Sequence, residues 1–195
     1  MRKPISIFLI SQLIVFSGLH SQAFLRSTGL KLFNESKYQA AVDSMQSWLD
    51  SHTSEKGLVQ YYMGESYYHL CFSANEMSRV KSYLDAAINS FSEARSSSDI
   101  NTRFTDKIPV IQYKLGWCYY RKAELAFNPV EDLKKAIGYF DNQQSAETDE
   151  TGPHPAIMNG ICALEIARYH HITIWQSENT GYANLLRNEA LMHLR

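Results

Sequence analysis

A short sequence box occurs twice in this chain and constrains its fold more than any other feature. The hexapeptide from Met63 to Tyr68 matches the one from Leu115 to Tyr120, because each has an apolar residue, a glycine and, three positions later, a tyrosine. Both copies lie in segments of helical composition, where a glycine costs about 1 kcal/mol relative to alanine. The recurrence of this glycine, at Gly64 and Gly116, indicates that a neighbouring helix leaves no room for a Cβ atom. The box therefore predicts stacked pairs of helices.

Length and charge narrow the class of protein. The chain has 195 residues, which is the size of one domain, and 45% of them are hydrophobic, enough for a packed core. The 19 Lys and Arg residues nearly balance the 20 Asp and Glu residues. Since nucleic-acid-binding domains carry a strong basic excess, we expect no nucleic-acid partner.

The N-terminus has the layout of a secretory signal peptide. Two basic residues follow Met1, and the stretch Ile5–Leu19 is mostly apolar. Ser21 and Ala23 then place small residues at positions −3 and −1 of a cleavage site before Phe24. This pattern predicts cleavage between Ala23 and Phe24.

Cleavage there would divide the chain into a signal peptide over 1–23 and one mature domain over 24–195. The alternative is an uncleaved anchor helix, but the apolar run is shorter than the ~20 residues that span a bilayer. No later stretch is apolar enough to cross a membrane, so we expect no stable membrane span after cleavage. Loss of the two basic residues changes the net charge from −1 to −3. The expected location is the periplasm or the cell surface.

Helical periodicity continues through the mature chain, and no strand pattern competes with it. Polar turns at 34–36, 50–56, 96–99, 143–155 and 179–181 separate the expected helices. These helices are Leu25–Phe33, Tyr38–Leu49, Gly57–Phe72, Val80–Arg95, Ile111–Phe127, a helix capped by Asn128 that runs to Phe140, Ala156–Trp175 and Tyr182–Arg195.

The helices form repeating units. In each clear unit a glycine on the first helix is followed, on the second helix, by a bulky residue, a small residue three positions on and a bulky apolar residue four further on. The units are Gly29 with Tyr38, Ala41 and Met45; Gly64 with Leu84, Ala87 and Phe91; Gly116 with Leu133, Ala136 and Phe140; and a fourth, without the tyrosine, headed by Gly160 with Ala183 and Ala190.

This pattern resembles the tetratricopeptide repeat (TPR), a 34-residue helix–turn–helix with small residues where helices touch. The spacing from Gly29 to Ala41 matches the family, whereas the second and third units are longer and indicate helices extended by two or three turns. Such long units resemble those of bacterial cell-envelope proteins. The resemblance covers roughly 24–140. It implies an all-α fold, an α-solenoid of about three to four antiparallel helix pairs.

The resemblance also implies a binding groove on the concave face, lined by the first helix of each unit. The groove positions carried over from the family are Tyr61, Glu65, Tyr68, His69, Tyr113, Trp117, Tyr120 and Arg121. Aromatic rings with a few charges suit a protein or peptide partner. The alternative is that these rings pack against the extended helices.

No residue pattern indicates catalysis, a cofactor or a metal. His69 and Cys71 are too close in sequence to share a helix face, and the chain has no glycine-rich phosphate loop. Cys118 and Cys162 each lie two positions after a box glycine, which favours buried apolar fillers, with a disulfide between repeats or metal binding as alternatives. Three cysteines in an exported chain leave at least one unpaired.

The predicted function is a non-enzymatic adaptor or scaffold of the cell envelope that binds a protein or peptide. The alternative is a structural N-terminal module of a larger envelope assembly, joined through the ends of the solenoid. A third hypothesis, an enzyme or a solute-binding protein, lacks an acid–base constellation. The terminal helix carries Leu186, Leu191 and Leu194 without a polar cap, which predicts that it folds back or mediates self-association.

Overall fold

The computed structural model describes residues 23–142 and 153–176 together with Asn188. All regular structure in these residues is helical, without a β-strand, which confirms the predicted all-α class. A 3-10 turn at Phe24–Arg26 precedes the α-helices. They are α1 (Thr28–Asn34), α2 (Tyr38–Ser51), α3 (Lys56–Ser73), α4 (Met77–Ser96), α5 (Ser98–Thr102), α6 (Lys107–Glu124), α7 (Val130–Asp141) and α8 (Pro155–Gln176).

The first predicted helix, Leu25–Phe33, is interrupted. The Ser27 side chain accepts a hydrogen bond of 3.2 Å from the backbone N–H of Leu30, so Ser27 caps α1 and separates it from the 3-10 turn. Serine is favoured at this position because its oxygen satisfies an N–H that has no partner within the helix. The prediction of one continuous helix was therefore wrong.

The expected loop at 96–99 is also partly helical. Ser97 lies in extended conformation and α5 begins at Ser98. Asp99, in the first turn of α5, accepts hydrogen bonds from the backbone N–H groups of Gly57 and Leu58, each 3.1 Å long. This short helix thereby ties the end of α4 to the start of α3.

Helix α6 begins earlier and ends earlier than predicted. Pro109 lies in its first turn, where a missing N–H costs little, and the helix ends at Glu124 instead of near Phe127. The side chain of Asn128 accepts a hydrogen bond of 3.2 Å from the N–H of Val130. Asn128 therefore bonds the first N–H of α7, but the residue directly before the helix is Pro129, so Asn128 is not the N-cap that was predicted.

The helices pack in the order in which they occur along the chain. Successive pairs from α1–α2 to α3–α4 are in contact, as are α4–α6, α6–α7 and α7–α8. The short α5 contacts α3, α4 and α6. The packing is therefore mostly between near neighbours in sequence, and the α3–α4 contact is the most extensive.

The predicted glycine contacts are present in three units. A Cβ atom built on Gly29 would lie 2.8 Å from Cγ of Met45. On Gly64 it would lie 2.7 Å from ring carbons of Phe91, and on Gly116 it would lie 2.6 Å from the ring of Phe140. All three bulky residues are fully buried on the second helix of the unit. These glycines therefore allow a large side chain to contact the backbone of the paired helix.

Gly160 was expected to head a fourth unit, and this expectation is wrong at the glycine itself. A Cβ atom built on Gly160 meets nothing within 4 Å among the described residues, and the residue is exposed. Helix α8 instead packs on α7 through Met158, Cys162 and Ile166, spaced four residues apart. The expected partners Ala183 and Ala190 lie outside the described residues.

Two hydrophobic clusters form the core. The larger extends from Phe24 to α6 and includes the buried rings of Phe24 and Phe91. The smaller joins α6, α7 and α8 around Phe140 and Met158. Helix α6 contributes to both clusters and connects them.

Several predictions concern residues that the structure does not describe. The signal peptide over 1–23 and the last helix over Tyr182–Arg195 lie outside the described residues, apart from Ala23 and the helical, exposed Asn188. Most of the polar loop at 143–155 lies outside them as well. None of the helices searched in the described ranges is long and apolar enough to cross a membrane.

Candidate partner-binding surface

A nearly buried ion pair connects the two helices that carry the predicted groove residues. Nζ of Lys114 on α6 lies 3.5 Å from Oε2 of Glu65 on α3, and both side chains are less than one-sixth exposed. The same ammonium lies 4.3 Å from the ring centroid of Tyr68, a cation–π contact. These contacts fix the relative position of α3 and α6.

Three of the eight predicted residues are buried. Tyr61 and Tyr113 are 8% and 3% exposed, and Glu65 is 6% exposed. The Tyr113 ring packs edge-on against Phe140 at 5.8 Å, and its hydroxyl donates a hydrogen bond of 2.9 Å to the carbonyl of Pro153. For these residues the structure shows the packing arrangement that was the alternative to a groove.

The other five residues are partly accessible. They are Tyr68, His69, Trp117, Tyr120 and Arg121. His69 stacks on Tyr38 with the ring centroids 4.5 Å apart, and Trp117 contacts Tyr120 edge-on at 5.7 Å. Arg121 pairs with Glu124 one turn further along α6. Their role in binding a partner stays a prediction.

A cleft of about 410 Å³ lies between the end of α6, the α6–α7 loop and α8. Phe127 in the loop is 100% exposed. The side chains that give the cleft its character are aromatic or charged, namely Tyr120, Glu124, Phe127, Glu165, Arg168 and Tyr169. The cleft therefore offers apolar rings beside charges of both signs.

Only Tyr120 of these cleft residues was identified from the sequence. Phe127 was assigned to the end of a helix, although it lies in a loop before an Asn-Pro turn. Glu165, Arg168 and Tyr169 are three or four positions apart and therefore share one face of α8. This spacing could have predicted a shared helix face. The fourth repeat was too unclear, however, to show which face of α8 points towards α6 and α7.

Tyr120, in the lining of the cleft, has a displaced pKa. Burial, followed by the nearby carboxylate of Glu124, raises the pKa of Tyr120. A raised pKa keeps the hydroxyl protonated at neutral pH, so Tyr120 can donate a hydrogen bond but not act as a phenolate. The arrangement suits recognition of a ligand.

A second cleft of about 420 Å³ lies between α2, α3 and the end of α4. Its lining has no aromatic ring and is mostly polar, with Gln46, Lys56, Gln60 and Glu93. Since rigid aromatic side chains contribute most to protein recognition, the α6–α8 cleft is the better candidate.

The cysteines are free thiols. Burial raises the pKa of Cys71 and of Cys162 to about 12, and it raises that of Cys118 well above the ordinary value. Cys118 and Cys162 are buried, which agrees with their predicted role as fillers of helix contacts. The described residues hold no group of three or more His, Cys, Asp or Glu side chains that could bind a metal ion.

Comparison with protein-family models, curated proteins and solved structures found no match to this chain. The resemblance to the TPR family accordingly depends on the residues of the box and of the second helices alone.

Proposed function

We propose that this chain is an exported, non-enzymatic adaptor of the bacterial cell envelope that binds a protein or peptide partner. Its helices would stack as TPR-like pairs into a short solenoid. The observation that carries the binding proposal is the α6–α8 cleft, with aromatic rings in its lining and the fully exposed Phe127 beside it.

The contacts between helices support the stack. Three glycines of first helices each lie against a buried bulky residue of the paired second helix. Second helices also contact the first helix of the next unit, as α2 contacts α3, α4 contacts α6 and α7 contacts α8. Repeated contacts of this kind, each between near neighbours, are typical of solenoid proteins.

The cleft chemistry favours a partner segment with an apolar anchor and charged flanks. Tyr120 and Tyr169 can bury a side chain at little cost in conformational entropy, since their rings have few rotatable bonds. Arg168 and the nearby carboxylates can pair with charges on either side of that anchor. A site for a single charged group would require charged side chains but no aromatic rings on both α6 and α8.

The binding proposal is tested by capture of proteins from an envelope extract on the immobilised chain 24–195. In the double variant Tyr120→Ala/Phe127→Ala we expect at least a tenfold loss of affinity for any partner captured by the wild type. Met77→Ala is the matched control, because Met77 is a large, 65% exposed apolar residue on α4 that does not line the cleft. Equal loss in both variants, or no loss in the double variant, would contradict the proposal.

A second function has one observation in its favour. Helix α8 exposes apolar side chains along one side, with Ile157, Leu164 and Ile172 between 45% and 62% exposed. Exposed apolar side chains along one side of a helix are typical of a contact with a further module or a second copy. A structural module would self-associate, and Leu164→Glu would then make it monomeric. A wild-type chain that sediments as a monomer at all concentrations would exclude self-association.

A further inference from the structure

The backbone nitrogen of Phe24 lies against a buried carboxylate. Its N–H donates a hydrogen bond of 3.0 Å to Oε2 of Glu55. The Glu55 side chain is 0% exposed, and Phe24 is fully buried as well. A carboxylate removed from water in this way requires strong partners, because burial of an unpaired charge is costly.

The surroundings hold Phe24 in one place. Its ring packs edge-on against Trp48 at 5.7 Å and lies 5.8 Å from the ring of Tyr62. The other carboxylate oxygen of Glu55 lies 3.3 Å from a guanidinium nitrogen of Arg103, whose side chain is 40% exposed. The residue and its nitrogen are therefore positioned from both sides.

The backbone of Glu55 is strained. Its φ of 58° and ψ of 25° place it in the left-handed region, which a residue with a β-carbon rarely adopts. Such a conformation persists only where surrounding contacts outweigh its cost, and it is frequent at functional sites. Here the contacts that accompany it are the two made by the buried carboxylate.

Phe24 is also the residue directly after the predicted cleavage site. Hydrolysis of the Ala23–Phe24 peptide bond by a signal peptidase would consume one water. The Ala23 carbonyl carbon would gain the hydroxyl group, and the Phe24 nitrogen would gain a proton. At neutral pH that amine takes a further proton from water and becomes an ammonium group with three donors and a positive charge.

We propose that export processing creates a buried salt bridge between the new α-ammonium group of Phe24 and the carboxylate of Glu55. An amide N–H supplies one donor and no net charge at this position, whereas an ammonium group supplies three donors and a positive charge that attracts the carboxylate directly. The mature chain is therefore more stable than its precursor. This inference rests on the proposed export and is independent of partner binding.

The order of events follows from burial. A peptidase needs its substrate in extended, accessible form, and the folded chain encloses Phe24. Cleavage thus precedes folding of this corner, and folding then captures the new N-terminus. Only a chain that begins at Phe24 places an ammonium group against the Glu55 carboxylate, so the site favours that N-terminus over others.

The first test is the mass of the full chain recovered after expression with its own leader in a bacterium. We expect a mature protein that begins at Phe24. A mature protein that begins at any other residue, or a chain that keeps residues 1–23, overturns the inference.

The second test compares two chains that differ only at the N-terminus. One begins at Phe24, released from a fusion by a protease that leaves no extra residue, and the other begins at Ser21, so that Phe24 keeps an amide nitrogen. We expect the unfolding equilibrium constant of the Phe24 form to be at least tenfold smaller. Equal or lower stability of the form that begins at Phe24 overturns the inference. Because the two chains have the same residues from Phe24 onward, no substitution within the fold affects this comparison.

Glu55→Gln in both chains completes a double-mutant cycle. The substitution should raise the unfolding equilibrium constant at least tenfold more in the chain that begins at Phe24 than in the chain that begins at Ser21. An equal effect in the two chains means that Glu55 has no favourable interaction with the ammonium group, and this result overturns the inference. Neither measurement involves a partner, so failure here leaves the cleft proposal to be judged by its own variants.

Discussion

At the scale of single residues, helical glycines in this chain are of two kinds. Gly64 and Gly116 lie against the rings of Phe91 and Phe140, which are fully buried. Gly138 on α7 and Gly160 on α8 are exposed, and an added Cβ atom would meet no neighbour within 4 Å among the residues that the structure describes. The same substitution should therefore have opposite effects at the two kinds of site.

We expect Gly64→Ala or Gly116→Ala to lower the free energy of unfolding by about 1–3 kcal/mol, the usual range for overpacking a core. Gly138→Ala and Gly160→Ala serve as matched controls and should raise it by roughly 0.5–1 kcal/mol, because alanine is the better helix former. Urea titration followed by circular dichroism measures all four variants. Stabilisation by either of the first two would show that the ring contacts are not tight.

The thiols give a second prediction at this scale. Burial raises the pKa of Cys71 and Cys162 to about 12 from an ordinary value of 9.0, so the folded protein holds almost no thiolate at pH 8. We expect slow reaction with a chromogenic disulfide reagent in buffer and rapid reaction of three thiols in denaturant. Fast labelling of the folded chain at pH 8 would contradict this.

The sign of the corresponding effect on stability follows from linkage. Since the pKa of these thiols is raised on folding, their contribution to stability is present below pH 9 and is lost as the pH rises from about 9 towards 12. Replacing Cys162 by alanine should reduce the loss of stability over that range. The change is measured by urea titration at pH 8 and pH 10.

The sequence predicts the glycine contacts well because the physical constraint is local to each unit. It could not separate buried from accessible rings, since positions three and four residues apart on α3 and α6 are apolar on more than one face. Tyr61 and Tyr113 are therefore buried, while Tyr68 and Tyr120 are partly accessible. The sequence carries no sign of that difference.

At the scale of helices, the start of α3 depends on a residue 42 positions away. Glu55, the residue before the helix, makes no side-chain cap, and Asp99 instead accepts bonds from the N–H groups of Gly57 and Leu58. A carboxylate at a helix N-terminus also interacts favourably with the helix dipole. Sequence inspection misses such a cap, because capping motifs are recognised only from residues next to the helix.

We expect Asp99→Ala to lower the free energy of unfolding by about 1–2 kcal/mol, the upper part of the range for a lost N-terminal cap. Asp99→Asn, which keeps one acceptor oxygen, should fall between this variant and the wild type. Asp106→Ala is the control, because Asp106 precedes α6 without capping it and its side chain is 70% exposed. Thermal unfolding of the three variants checks the order, and an equal effect of Asp99→Ala and Asp106→Ala would contradict the long-range cap.

At the scale of the whole molecule, the packing is mostly between consecutive helices, and two clusters share one helix. The cluster around Phe91 and the cluster around Phe140 meet at α6. Periodicity predicted the all-α class and most helix boundaries within a few residues. It did not predict the division of the core, because that division depends on which face of α6 meets which neighbour.

We expect damage in one cluster to remain partly local. Leu133→Ala, at a buried position of α7, should speed amide hydrogen exchange in α7 and α8 much more than in α2 and α3. Met45→Ala is the matched variant in the other cluster and should give the reverse pattern. Uniformly faster exchange in both variants would show a single cooperative unit and contradict the stacked arrangement.

The shared helix also limits how the molecule can be cut. A fragment ending before α6 would lose Ile111 and Leu115 and leave the apolar faces of α4 in water, whereas a fragment starting at α6 would carry those two side chains with nothing to cover them. We expect each half to aggregate by itself. The two halves produced together should reassociate, because α6 of the second half would cover the apolar face of α4 in the first half. A split reporter joined at the turn between α5 and α6 would make use of this mutual dependence.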